Sequence, residues 1–463
     1  MSSPLIWIFL PLIAAVGFWF IRRKNLCLLL AGFLSLGLGG LALFLPIEKD
    51  IIIGNTVFQI SSFVSIAGRK FIIEQHQEKL LALIFGCGSF WFFGGLVIDV
   101  RRELGAIGLG AIALMAAALA VEPLLYAALL LEACVLVSVP MLVHPYEKEK
   151  SGVIRFVTYL TPGMSFLLLA GWALAQDAAS PANPEWLNIC VILLCSGLGL
   201  YLSVFPFNTW VPVIFEQAHP YVTGFLVALL PVVTLLIALG FLEGFPWLRT
   251  HPSFLEIARL SGVLTVFTAG IWAAFQKNLS RILGYAALLD IGFFLLAISL
   301  GRKEGWEIVL ASAIPRFLGI ALCSISLVVL QRYTKKLDFT DVKSAFWKMP
   351  FASGGYVAGM LSLAGLPLLA SFPLRVRLLE ELARGGFFTV FLSLIGVASL
   401  FLGILRAIAS LADLPDGKLS FNESWTQIAL LAGGVLLLLG LGLLPGEIQA
   451  PMKNLLAAFP KLR

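Results

Sequence analysis

The sequence predicts an all-α integral membrane protein of about fourteen transmembrane helices, with two inverted five-helix repeats that each contain a proline-broken helix. Three observations carry this. Of 463 residues, 60% are hydrophobic and only 13% charged, and the mean hydropathy is +0.98, whereas soluble domains carry roughly 25% charged residues. Runs such as 111–120 and 433–444 are apolar on every side instead of alternating, so the spans are helices and not barrel strands. An intramembrane acid followed by two prolines six positions apart occurs twice, as Glu132 with Pro206 and Pro212 and as Asp290 with Pro367 and Pro373. The copies are offset by about 160 residues, or five helices. An odd number of helices places them in opposite membrane orientation, the pattern that points to a transport site between broken helices.

Apolar runs between charged or Pro/Gly-rich breaks place helices near 4–21, 26–46, 80–98, 105–121, 123–143, 152–174 and 187–205. Further ones fall near 221–242, 256–275, 282–300, 307–330, 350–383 (long and interrupted), 387–410 and 426–444. The first is followed by Arg22-Arg23-Lys24, opposite to a secretory leader, and reads as a retained helix. Between the second and third, the β-rich stretch Ile51 to Ile60 around Gly54-Asn55 predicts a small extramembrane hairpin. The organisation is then 1–104, three helices with the hairpin; 105–243, the first repeat; 256–410, the second; and 411–463, the last helix and tail. Basic residues crowd the loops after helices 1, 3, 5, 9 and 11, among them Arg101-Arg102, Lys148 and Lys335, while the 175–186 loop has none. The positive-inside rule therefore puts both termini outside.

The excess of 32 Lys+Arg over 26 Asp+Glu reflects such loops and not nucleic-acid binding. Six cysteines lie scattered, nearly all in apolar runs and without a C-x-x-C pair, and read as small buried residues. Every lysine falls in a loop or at a helix end, and the four histidines lie outside helix centres. No Walker A loop, dinucleotide fingerprint, haem His pair or metal cluster is present in the sequence, so no cofactor or metal is expected in this chain.

An ionisable side chain in a transmembrane helix costs at least about 2.5–3.5 kcal/mol at the centre, so each needs a partner, a cavity or a function. The candidates are Glu132, Asp290, Arg316 and Arg375, with Glu122, Glu216, Arg377 and Arg406 nearer the helix ends. Glu132 has about nine apolar residues on either side. A carboxyl group so placed can take up and release a proton on a transport path; the alternative is a structural ion pair with Arg316 or Arg375. Asn208, Thr209, Trp210, Glu216 and His219 follow the first break, and Arg375 and Arg377 the second. Arginine stays charged and relays no protons.

Three motifs give a family resemblance. Phe205-Pro-Phe-Asn-Thr-Trp-Val-Pro212 with Tyr221-Val-Thr-Gly-Phe-Leu226 is similar to F-P-F-H-T-W-L-P followed by P-V-T-x-F-L. Gln276-Lys-Asn-Leu-Ser-Arg-Ile-Leu-Gly-Tyr285 resembles Q-x-D-L-K-R-L-L-A-Y, and Ser362-Leu-Ala-Gly-Leu-Pro367 with Phe372-Pro-Leu-Arg375 resembles S-L-A-G-I-P followed by G-F-x-x-K. These belong to the antiporter-like, proton-translocating membrane subunits of respiratory complex I (NADH:quinone oxidoreductase), membrane-bound hydrogenases and multisubunit cation/proton antiporters. The resemblance implies a subunit in the inner membrane, partnered by other membrane subunits including further antiporter-like ones, with the redox centres elsewhere. It implies that Glu132 is the gating glutamate. It also shows departures: the family's lysines on helices 7, 8 and 11 correspond here to Tyr201, Pro231 and a position near Gly319, the loop lysine of its Q-x-D-L-K-R motif to Ser280, its histidine to Asp290, and its last lysine to Arg375. Two main readings follow, a proton-translocating subunit with Glu132, Asp290, Tyr201, Arg375, Arg316 and Glu216 along its path, or a non-conducting structural subunit. A component of a cation/proton antiporter is a third.

Overall fold

The computed structural model describes residues 2–48, 50–53, 56–66, 68–143, 150–179, 185–334, 336–414, 421, 423–446 and 455–462. Gly54-Asn55, Lys148, Lys335, the centre of the 175–186 loop and part of the C-terminal tail lie outside these residues. The chain opens with a π-helical turn over Leu5–Phe9 that continues as α1 (Leu10–Trp19), then α2 (Lys24–Phe44). Two hairpins follow, β1 (Asp50–Ile53) with β2 (Thr56–Gln59) and β3 (Phe63–Ile66) with β4 (Arg69–Ile72), then α3 (Glu78–Val97), α4 (Glu103–Ala120) and β5 (Val121–Glu122). Next come α5 (Ala127–Leu142), α6 (Ser151–Ala179), α7 (Glu185–Tyr201), α8 (Trp210–Gln217), α9 (Pro220–Gly244), α10 (Pro246–Thr250), α11 (Pro252–Phe275) and α12 (Leu279–Ile298). The last are α13 (Lys303–Gln331), α14 (Ala345–Lys348), α15 (Pro350–Ala364), α16 (Phe372–Ala383), α17 (Phe387–Leu411) and α18 (Trp425–Leu443).

Among the described residues, eleven helices are long and apolar enough to cross a bilayer. The apolar helices Leu5–Trp19 and α7 are shorter, and α15 and α16 divide the interrupted run 350–383 between them. The extramembrane part is larger than the sequence suggests. Besides the expected hairpin, in which Asp50 pairs with Gln59, a second hairpin pairs Phe63 with Ile72, and β5 joins it through Phe71 opposite Val121. Val121-Glu122 leaves the helical pattern because Pro123 disfavours the helical conformation in the residue before it. Ser3 N donates to the Ser61 carbonyl at 2.8 Å, tying the N-terminal segment to these strands.

Helices α4, α9, α12 and α13 are buried on nearly all sides, whereas α17 and α18 leave most of their apolar surface facing outward. Lipid tails are as apolar as leucine, so such a core is held by close packing of small residues more than by hydrophobic expulsion. A Cβ on Gly262 of α11 would lie 3.0 Å from the Gly292 carbonyl of α12, and one on Gly292 2.8 Å from the Gly262 carbonyl.

Two interruptions shape the interior. α7 stops at Tyr201, where Ser203 turns left-handed (φ 57°) and Val204 N reaches back to the Gly199 carbonyl at 2.9 Å. α15 stops at Ala364, where Gly365 turns left-handed (φ 79°) and Leu366 N donates to the Leu361 carbonyl at 3.0 Å. Both ends use the backbone arrangement that satisfies terminal carbonyls. Pro206, after a cis peptide, and Pro367 lie within the interruptions. Pro212 and Pro373 lie in the first turns of α8 and α16, where a missing N–H loses no helical bond.

Candidate functional site

In the first half of the bundle, α5 places Glu132 inside the protein, 7% exposed. Thr161 of α6 donates its hydroxyl to Oε1 at 2.8 Å. Among the described residues, Oε2 has no hydrogen-bond partner and no basic side chain forms an ion pair with Glu132. Tyr201, fully buried at the end of α7, donates its hydroxyl to the Ala128 carbonyl at 3.3 Å, one turn before Glu132 on α5. Tyr201 also lines a cavity of about 10 Å³ with Ser203, Trp210, Leu230, Pro231 and Ala287, between the first interruption and helices α9 and α12.

The second half is built differently. Asp290 of α12 is held from both sides: Oδ2 accepts from Arg316 Nη1 at 3.0 Å and Oδ1 from Arg375 Nη2 at 2.8 Å. The alternative in which these arginines pair with Glu132 is therefore not what the fold adopts. Arg316 also donates to the Ala287 carbonyl at 2.8 Å and to the Val227 carbonyl of α9 at 3.0 Å. Val227 stands four residues before Pro231, which has no N–H to offer that oxygen, so the guanidinium supplies the missing donor.

Arg375 sits in the first turn of α16, where the helix dipole disfavours a cation. Three groups offset this. They are Asp290, the Leu363 carbonyl at the end of α15, which accepts from Nη2 at 2.6 Å, and the Phe293 ring, whose centroid lies 4.0 Å from the guanidinium carbon. The Leu363 oxygen is one of the last carbonyls of α15, which lack helical donors. The interruption itself thus creates the acceptor that Arg375 uses.

The other candidates are placed apart. Glu216 of α8 is engaged by Arg281 at the start of α12 in an ion pair of 2.5 Å, partly exposed. Arg377 pairs with Glu307 at 3.2 Å, and Arg406 donates to the Ala274 carbonyl. Asn208 is buried within the first interruption, and Thr209 bonds the Tyr159 hydroxyl at 3.4 Å. Sequence reasoning missed Thr161, Glu307 and the three carbonyls that anchor the arginines. Only Val227 had a signal, through Pro231 in mid-helix. Among the described residues, no cluster of His, Cys, Asp and Glu is arranged to hold a metal.

Residues 177–403 match the model of the NADH:quinone oxidoreductase/Mrp antiporter transmembrane family. NADH-quinone oxidoreductase subunit N of Psychrobacter arcticus is 22% identical over 407 residues, covering 82% of each chain. The Francisella tularensis protein of the same name is 26% identical over 339 residues, 67% of this chain and 69% of the relative. Among solved structures, a chain of Thermus thermophilus respiratory complex I superposes with a TM-score of 0.75 at 20% identity, covering 99% of both chains. A chain of the Mrp complex from Dietzia sp. gives 0.82 at 13%, covering 100% of this chain and 97% of the other. The archaeal membrane-bound sulfane sulfur reductase gives 0.81 at 17%, covering 100% of both. At these identities the structural likeness establishes the fold.

Proposed function

We infer from the match of residues 177–403 to the NADH:quinone oxidoreductase/Mrp antiporter transmembrane family that the chain is an antiporter-like member of it, works as a membrane-arm subunit of a complex I-like NADH:quinone oxidoreductase and takes part in proton translocation. The observation that carries this is Glu132: a buried carboxyl group on a membrane helix, oriented by one hydroxyl, with one oxygen unengaged and no cation pairing it among the described residues. In this reading the fourteen spans form two inverted repeats in which Asp290 is the counterpart of Glu132. Both termini lie on the outer side of a bacterial inner membrane. The redox cofactors belong to partner subunits, further antiporter-like chains are its neighbours in the membrane, and a hydrogenase-type assembly would use the same chain in the same way.

The test is proton flux through the assembled complex in sealed vesicles. Glu132→Gln is expected to reduce flux per electron transferred while leaving electron transfer to an artificial acceptor intact. Unchanged flux would sink the gating role of Glu132. Tagged chain recovered without flavin or iron-sulfur subunits, and only with small antiporter subunits, would replace the redox assembly by a cation/proton antiporter.

A second reading, a non-conducting structural subunit, is favoured by the uncharged Tyr201, Pro231, Ser280 and Gly319 and by the engagement of both Asp290 oxygens. Tyr201→Lys separates the two, because raised flux would identify a degenerate channel.

A further inference from the structure

The second half of the bundle buries more positive than negative charge. Arg316 and Arg375, 1% and 7% exposed, share the single carboxylate of Asp290, which leaves one surplus positive charge where an uncompensated ion is strongly disfavoured. The other ion pairs on and beside these helices, Arg377 with Glu307, Arg281 with Glu216, and the group in which Arg302 and Arg384 share Glu381 while Arg302 also meets Glu304, are each neutral in sum and do not offset it. Glu132 faces Thr161 in the other half. Among the described residues, two guanidinium nitrogens of the triad, Nη1 of Arg375 and Nε of Arg316, have no acceptor.

Beside Arg375 lies a cavity of about 20 Å³ whose lining includes Asp290, Phe293, Ser312, Ser371 and Arg375. Space of this order takes one water or one monatomic ion. Its polar walls are mostly donors. Ser371 is the N-cap of α16 and makes no side-chain capping bond, so its hydroxyl is not committed there. The first N–H groups of α16 add positive potential at the same end. The negative wall, Asp290, already directs each oxygen to an arginine. A water would satisfy a donor but leave the charge; an anion satisfies both.

We propose that this cavity binds one halide-sized monovalent anion, with Arg375 Nη1 as its principal donor, and that the anion completes the charge balance of the Arg316–Asp290–Arg375 triad. The site is independent of whether the chain conducts protons, because it rests on the triad and its cavity alone.

The test is thermal unfolding of the full chain in mild detergent, in sodium chloride, sodium bromide and sodium gluconate at matched ionic strength. Chloride and bromide are expected to raise the unfolding temperature over gluconate in a saturable way. Arg375→Gln should abolish that difference, and Asp290→Asn, which adds a surplus charge, should tighten the apparent halide affinity by about tenfold or more. Equal unfolding temperatures in the three salts would overturn the proposal. Should either variant fail to fold, Ser312→Val narrows the cavity without removing a triad member, and a halide effect that survives it unchanged overturns the proposal too. Crystals grown in bromide should show an anomalous peak against Arg375; ordered water there without such a peak counts against the site.

Discussion

Arg316 on α13 donates from Nη2 to the carbonyl of Val227 on α9 at 3.0 Å, the oxygen that Pro231 leaves without a helical donor. A guanidinium from a neighbouring helix thus reaches into this stretch of α9. A guanidinium stays charged. This half of the bundle is therefore built as a fixed electrostatic post, while Glu132 in the other half keeps a free oxygen.

The surplus charge sets an order of costs within the triad. Asp290→Asn leaves two buried guanidinium groups without their shared carboxylate and is expected to destabilise by about 3–5 kcal/mol in a halide-free buffer. Arg316→Met leaves the neutral pair of Asp290 with Arg375 and strands the Val227 carbonyl, for about 1–3 kcal/mol. Denaturation in detergent reads both. A larger loss for Arg316→Met would contradict the charge argument.

Glu132→Gln keeps an oxygen for the Thr161 hydroxyl, so its effect on stability should stay under about 1 kcal/mol. Thr161→Val removes the hydroxyl that orients the buried Glu132 carboxyl and should cost about 1–3 kcal/mol. Chemical denaturation of the two variants in detergent tests both values, and a loss for Glu132→Gln as large as that for Thr161→Val would contradict this.

Gly365 is required twice over. Its φ of 79° is left-handed, and a Cβ there would lie 2.9 Å from Arg375 Cδ. Gly365→Ala should lose about 1–2 kcal/mol from the backbone alone and more from displacing Arg375. Gly440→Ala on α18, where a Cβ meets nothing within 4 Å, should be neutral or gain up to about 1 kcal/mol. Melting curves of the two variants make the comparison.

Glu423 lies outside the membrane spans and caps α15, accepting from Ala352 N at 2.6 Å and Phe351 N at 3.2 Å. Burial pushes its carboxyl above the usual range, and these two N–H groups only partly oppose the shift. A carboxyl raised on folding stabilises the fold most when protonated. The contribution is complete below the ordinary glutamate value, near about 4.3, and is lost as pH rises through the higher folded value. Stability measured from neutral pH downward should therefore rise in the wild type relative to Glu423→Gln. A wild type that weakens relative to the variant over that window would reverse the sign.

Much of the fold was legible because bilayer physics writes it in composition. Apolar runs of about 20 residues, charged loops and paired prolines located the long helices and both interruptions. The second hairpin was not, since Phe63 to Ile72 is short and its third strand comes from Val121-Glu122, distant in sequence. In the site, Glu132, Asp290, Arg316 and Arg375 stood out as charges in apolar surroundings, but their pairing did not. Glu132 and Asp290 look alike in one dimension, and either arginine could have served either acid.

Residue type and spacing were enough to establish that this chain lives in a bilayer, that it is helical, and that a few buried charges and two broken helices lie at its centre. Those follow from the free energy of placing side chains and unpaired backbone in hydrocarbon, a local property. Which acid is neutralised was settled by packing: α9, α12, α13, α15 and α16 meet so that Val227, Ala287, Leu363 and Asp290 surround two guanidinium groups. Thr161 alone among the described hydroxyls donates to Glu132. Such partners lie tens to hundreds of residues apart, and hydrogen bonds act over about 3 Å, so only the folded arrangement could assign them.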